Sequence, residues 1–354
     1  MSKKDIQKSF ENMDKEGAIK EVVDKDERIK LAVSEIVKKE FVDIQNFKGE
    51  IETKSINYKN TVGLAATNAE NRAINEGVRT ELQNQGLIKD EVKTNVNVSV
   101  LKDNIKQSTA SNYEKGDKVK TYEKVAGMIK NIEYEVVGIN PSKNTVKMKT
   151  IEPDNDGKHK YSIVKATKMA GKVTVNKEEE RVFGVGDKIM ITETDKKAGL
   201  TNSDQGLIIS MNVKQKVATV DFGEMGIKEI NLNQQKNLDL GYSMTVHKSQ
   251  GISIERVVAF FDSKENSKSN TMNSFYVAMS RQTAQSVAIT DSKEDLMKQV
   301  SKEASNVSSL DDLKKKSNSK FGALSSFESQ KNDKNHSASK VQNKEETKAP
   351  TIAR

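Results

Sequence analysis

Apolar residues recur at helical spacing from the start of the chain: Ile6, Phe10 and Met13, then Ile29, Val33, Ile36, Val37 and Phe41. A period of three to four residues is that of an amphipathic helix, so the first 45 residues are expected to be helical. Residues 61–66 (TVGLAA) form a short apolar run that ends at Thr67. Thr67 and Glu70 have the spacing of a capping box, in which a hydroxyl and a carboxylate each satisfy a free backbone amide. The helix they open carries Ile74, Val78 and Leu82, and Gly86 closes it, giving strand, turn and helix in order.

From residue 92 to 237 the pattern changes to short alternating runs broken by Gly, Asn and Asp, which predicts a β-rich region. A weak internal repeat runs through it. Gly116-Asp117-Lys118-Val119, with Gly127, Val136 and Thr145-Val146 beyond it, is echoed by Gly186-Asp187-Lys188-Ile189, with Gly199, Ile208 and Thr219-Val220. Two small barrels of similar plan would explain the repeat. The plainer reading of the local motif is a Gly-Asp turn that opens a strand. After Leu240 the α/β pattern returns: GYSMTVHKSQG, a strand at 257–261, a helix from Met272 to Met279, a strand at 286–290, and a last helix capped by Asp291 and Glu294. Residues 58–91 and 238–305 thus read as two parts of one parallel-sheet domain, with 92–237 inserted, 1–57 as a helical N-terminal segment and 306–354 as a tail.

Composition alters this picture in two places. The chain has 354 residues, 34% of them apolar, with neither Trp nor Cys, which excludes a disulfide framework. Its net charge is +8, but residues 311–354 hold +4 of it in a Ser-, Lys- and Asn-rich stretch expected to be disordered. Residues 1–310 share only +4, so overall charge alone does not establish a nucleic-acid protein. The sequence contains no run of 18 apolar residues and no signal-peptide pattern at its start, so the expectation is a cytoplasmic protein without membrane contact. His159, His247 and His336 are too scattered for a metal-binding cluster, so no metal site is expected.

Three segments hold the candidate chemistry. Residues 242–251 (YSMTVHKSQG) are followed 24 residues later by 275–281 (FYVAMSR), and residues 67–75 (TNAENRAIN) follow the apolar strand at 61–66. The first pair resembles motifs V and VI of superfamily 1 DNA helicases, and the third resembles motif IV. The likeness is closest to the RecD-like branch, including the helicase region of conjugative relaxases of the TraI or TraA type, and it spans roughly residues 7–300. It implies an α/β fold: a second RecA-like, P-loop NTPase-type helicase domain with inserted SH3-like β-barrels.

The resemblance also implies roles for residues. Arg281 would be the arginine finger, the catalytic residue, since a guanidinium stays charged and its fork matches phosphate geometry. Taken alone it would be a surface ion pair at a helix C-terminus. Gln250 and Gly251 would stand near the nucleotide together with Arg72, with Arg79 as the rival arginine. Thr245, His247 and Lys248 would contact single-stranded DNA, with motif V also relaying the nucleotide state. Within the β-rich insert Tyr113, Tyr122, Tyr134, Tyr161, Phe183 and Phe222 supply the aromatics, most of them expected to fill a core.

One departure from the family is plain. No G-x-x-x-x-G-K-[ST] loop occurs anywhere in the sequence, and no acidic pair follows an apolar run as a Walker B site requires. ATP and Mg are therefore expected only if a domain bearing the Walker motifs completes the site. The resemblance implies that the chain starts about where the family's first RecA-like domain ends. Two readings remain open: the C-terminal portion of an ATP-dependent 5′ to 3′ DNA helicase of conjugative transfer, partnered by a relaxase/helicase half on a separate chain, or a catalytically inactive nucleic-acid-binding or scaffold remnant of one.

Overall fold

The computed structural model describes residues 3–45, 50–101 and 103–301. The tail expected to be disordered lies outside the described residues.

Five parallel strands form the central sheet, in the order Ile19–Glu21, Gln282–Thr290, Ile254–Phe261, Thr61–Ala65, Ser243–Thr245. The middle strand is apolar from Val257 to Phe261 because it is covered on both faces, as parallel sheets are. Its side chains alternate between two cores. Val258 and Phe260 pack with Ala32 and Ile36 of helix Lys25–Val37 and with Ile74, Val78 and Leu82 of helix Asn68–Asn84. Val257, Ala259 and Phe261 pack with Phe10 of helix Lys3–Lys15, Phe275 of helix Met272–Met279 and Leu296 of the helix at 293–301. Phe275 bridges that second core, its ring 5.8 Å from Phe10 and 5.4 Å from Phe261.

The N-terminal region is not helical throughout. Ile19–Glu21 is an edge strand of the parallel sheet, and Glu40–Gln45 pairs with Ile51–Ile56 as an antiparallel hairpin. Residues 1–57 therefore do not form a separate helical segment. Phe41 continues the helical period by coincidence: the helix ends at Val37, the Lys38 cap has ψ 132°, and Phe41 lies 70% exposed on the hairpin. The Thr67 capping box is present, with the Glu70 amide donating to Thr67 Oγ1 at 3.2 Å and the Thr67 amide to Glu70 Oε2 at 3.0 Å. The second expected box is replaced. Asp291 Oδ1 accepts from the Ser263 amide at 2.6 Å, while Ser292 Oγ accepts from the Asp295 amide at 3.1 Å and so caps the last helix.

The insert consists of two antiparallel sheets. One has six strands in the order Lys89–Ser99, Val173–Val185, Lys118–Thr121, Glu133–Asn140, Thr145–Thr150, Tyr161–Lys165, and the other has five. The repeat holds down to single hydrogen bonds. Gly116 and Gly186 have φ +91° and +97°, and their amides donate to the carbonyls of Val136 and Ile208, both at 2.9 Å. The amides of Val136 and Ile208 donate back to the carbonyls of Asp117 and Asp187 at 2.8 and 2.9 Å. A β-bulge follows at 136/138 and at 208/210. More than a common turn is therefore duplicated.

Candidate nucleic-acid interface

The C-terminal ends of parallel strands are where open α/β sheets bind ligands. Here Thr245 and Ala65 end neighbouring strands, and helix Asn68–Asn84 starts just beyond Ala65. A cleft of about 340 Å³ opens between this edge and the β-rich insert. Arg72, Thr245 and Lys248 line it from the parallel-sheet side, and Asn97, Tyr122 and Asn176 from the insert.

Local hydrogen bonds fix the parallel-sheet wall. Ser243 Oγ donates to Asn71 Oδ1 at 2.6 Å, the Ser243 amide donates to Asn75 Oδ1 at 2.8 Å, and Asn75 Nδ2 donates to the Ser243 carbonyl at 3.2 Å. Two asparagines one helical turn apart thus clamp the strand that presents Thr245. Asparagine is a poor helix former, and its recurrence at positions 71 and 75 on a core-facing stripe was the signal in the sequence for this clamp. Beyond Thr245 the chain turns tightly, with the Lys248 amide donating to the Thr245 carbonyl at 2.9 Å. The Lys248 side chain is half-buried, and that burial holds its ammonium below lysine's ordinary value against the weaker pull of Asp239. Among the described residues no carboxylate forms an ion pair with it, so the cleft contains an unpaired cation. Arg72 is weakly held, 3.6 Å from Glu179 and half exposed.

His247 is exposed and does not line the cleft. Gln250 and Gly251 are exposed in the turn that leads back to the start of strand Ile254–Phe261, and Gly251 has φ +84°. Arg281 stands at that same N-terminal edge of the sheet, one residue before strand Gln282–Thr290. Its Nε donates to the Val277 carbonyl at 3.3 Å, closing its own helix, and among the described residues it forms no ion pair. A depression of about 440 Å³ beside it is lined by Lys20, Glu35, Arg256, Met279 and Gln282. The structure therefore places Arg281 at one edge of the sheet and brings Arg72, Thr245 and Lys248 together at the other, with Gln250 and Gly251 in the turn that connects the two edges.

Arg79 is held in a network. Its Nε donates to both Asp187 oxygens at 3.1 Å and its guanidinium reaches Glu91 at 2.7 Å. Asp187 is fully buried and also accepts from Tyr242 Oη at 2.7 Å and from the Gly184 amide at 2.7 Å. Burial pushes the Asp187 carboxyl up, opposed by Arg79 and these donors. Arg79 thus fastens the insert to the parallel-sheet domain and is not free to meet a nucleotide. Of the insert's aromatics, Tyr113, Tyr134, Phe183 and Phe222 are buried, whereas Tyr122 and Tyr161 are 42% and 64% exposed. Among the described residues no cluster of His, Cys, Asp and Glu could hold a metal ion, and no helix is long and apolar enough to cross a membrane.

The chain is 36% identical over 80 residues to a conjugal transfer protein TraA of Rhizobium radiobacter, a stretch that is 22% of this chain and 7% of that protein. This similarity agrees with the TraA-type resemblance. No family model matches the chain. Among solved structures it is similar to Bacteroides Pif1 bound to ssDNA, at 13% identity and TM-score 0.28 over 76% of this chain and 46% of that one. Unliganded Pif1 from Bacteroides sp gives 14% identity and TM-score 0.27 over 66% and 52%. A structural likeness at such values has no bearing on function.

Proposed function

We propose that this chain supplies the second RecA-like domain of a 5′ to 3′ DNA helicase of conjugative transfer, with the two β sheets as inserted barrels of the SH3-like type. In this reading the cleft grips single-stranded DNA through Thr245, Lys248 and Arg72, and the opposite edge offers Arg281, Gln250 and Gly251 to ATP and Mg held by a Walker-bearing domain. The observation that supports it most is the convergence of Thr245, Lys248 and Arg72, from two sequence-distant motifs, on one cleft that contains an unpaired cation. Placing Arg72 there transfers it from the nucleotide to the strand.

The chemistry follows from the placement. A half-buried ammonium outside any ion pair attracts a phosphodiester without reading sequence. Asparagine side chains around it can donate to sugar and phosphate oxygens. Arg281, tethered only through Nε to a carbonyl, keeps both terminal nitrogens available for a γ-phosphate, where charge develops during phosphoryl transfer. The scaffold reading draws on the absence of a P-loop from the 354 residues. It shares the DNA cleft and lacks only the nucleotide edge.

Photocrosslinking of an oligothymidylate containing 5-iodouracil, followed by peptide mapping, tests the assignment. Crosslinked peptides should cover residues 68–76 and 243–248. Crosslinks confined to other surfaces would reject the cleft.

A further inference from the structure

We propose that the outer edge of the six-stranded sheet is a second surface for single-stranded nucleic acid, separate from the cleft and centred on Tyr161. Residues 141–172, which form its last two strands and their flanks, contain eight lysines against three acidic residues, a net of +5. Since residues 1–310 sum to +4, everything else in that span is net −1. The net positive charge of residues 1–310 is therefore accounted for by this one stretch. Of its eight lysines only Lys149 forms an ion pair among the described residues, to Glu135 at 3.1 Å. Structural lysines elsewhere in the same sheet are neutralised, as Lys118 is by Glu178 and Lys120 by Glu193, both at 2.7 Å.

The apolar component is equally placed. Val146, Met148 and Val164 point into the core, so the alternate residues of the two strands face solvent. They are Lys147, Lys149, Tyr161, Ile163 and Lys165, with Tyr161 64% and Ile163 68% exposed. Lys147 lies opposite Ile163 and Lys149 opposite Tyr161, and the Lys147 ammonium stands 5.6 Å from the Tyr161 ring centroid. An aromatic ring flanked by lysines on an edge strand offers a stacking platform for a base and cations for the phosphates beside it. The charge complementarity is to a polyanion, and the exposed ring favours unpaired bases over a duplex.

The register links this surface to the cleft. Asn176, a cleft residue, is opposite Lys118, Lys118 opposite Glu135, Glu135 opposite Lys149 and Lys149 opposite Tyr161. Four strand spacings separate the ends of that row, about 19 Å along the sheet. A single strand leaving the cleft meets the Tyr161 platform on the same face. The proposal does not need the helicase reading, because it rests on charge and exposure alone.

Fluorescence anisotropy with a labelled oligothymidylate of about 16 nucleotides, near the upper site size of a small β fold, tests it on the full chain at low salt. Tyr161→Ala should weaken binding roughly tenfold, as loss of one stacked base does, and Tyr161→Phe should restore it. Lys147→Glu should weaken it as well, while thermal melting stays unchanged because both side chains are exposed. In a Thr245→Ala/Lys248→Ala background the residual binding should vanish on adding Tyr161→Ala. Unchanged affinity for Tyr161→Ala in both backgrounds would overturn the proposal, as would equal binding of a blunt duplex of the same length. Wild-type affinity in the Thr245→Ala/Lys248→Ala variant with loss in Tyr161→Ala would reject the cleft and keep the platform.

Discussion

The carbonyl of Arg281 accepts a hydrogen bond from the amide of Ile254 at 3.0 Å. That bond joins the segment after helix Met272–Met279 to the end of the turn holding Gln250 and Gly251, at the N-terminal edge of the sheet. It uses only backbone atoms, and the Arg281 side chain is left with one contact to its own helix.

Arg281→Ala should therefore leave folding intact. The purified chain, which has no P-loop, should hydrolyse no ATP with or without DNA. Combined with a Walker-bearing helicase half, wild type should support DNA-stimulated hydrolysis, and Arg281→Ala should lower it by about a thousandfold or more, the usual loss for an arginine finger. Steady-state ATPase assays decide this. Activity of the isolated chain above its Arg281→Ala control would sink it.

Removing Asp187 should be costly. Asp187→Ala leaves the Arg79 guanidinium partly buried with only Glu91 as counter-charge, and breaking a buried pair costs about 3–5 kcal/mol. Tyr242→Phe deletes one hydrogen bond to the same carboxylate and should cost only about 1–2 kcal/mol. Urea unfolding measures both. Equal, small losses would show that the network does not fasten the insert.

Lys188 predicts a pH dependence. Its ammonium is buried with only the Thr61 carbonyl at 3.2 Å, and burial pushes it down to about 7 from 10.5. Above pH 10.5 it is neutral in folded and unfolded chains alike and costs nothing. As pH falls from 10.5 to 7 the unfolded chain gains a proton that the folded chain resists, so stability declines by up to about 1.4 kcal/mol per unit. Below pH 7 the loss is complete and constant. Lys188→Met should be more stable than wild type at about pH 7, with the difference shrinking toward about pH 10. A difference independent of pH would contradict the assignment.

The two repeat glycines should respond differently to substitution. Both have positive φ, which costs an alanine about 1 kcal/mol. A Cβ on Gly116 meets open space, but one on Gly186 would lie 2.3 Å from the Leu87 carbonyl oxygen. Gly186→Ala should therefore lower the melting temperature well beyond Gly116→Ala. Equal shifts would mean that the contact with Leu87 relaxes without cost.

Local signals in the sequence translated directly where one short segment decides the geometry. Thr67 and Glu70 cap their helix, Met272–Met279 is a helix within its expected bounds, and the Gly-Asp-Lys repeat reports a real duplication. What the sequence concealed depends on distant partners. Phe41 kept the helical period but pairs with Ser55, and Asp291 has the spacing of a cap yet turns to Ser263. Arg72 and Arg79 are equivalent by pattern, and only the approach of Asp187 to Arg79 tells them apart. Lys118 and Lys188 occupy matching repeat positions, but one is ion-paired at the surface and the other buried, because only the second sheet packs against Thr61.

Equilibrium binding of labelled oligothymidylate by the full chain, as a function of salt, tests the central claim most directly. Binding should weaken steeply between low and physiological salt. Arg72→Ala/Lys248→Ala should reduce both the affinity and the slope of log K against log salt, by about 0.7 for each phosphate of a single strand that is no longer neutralised. An affinity and slope unchanged by the double substitution would contradict the assignment of this cleft to single-stranded DNA.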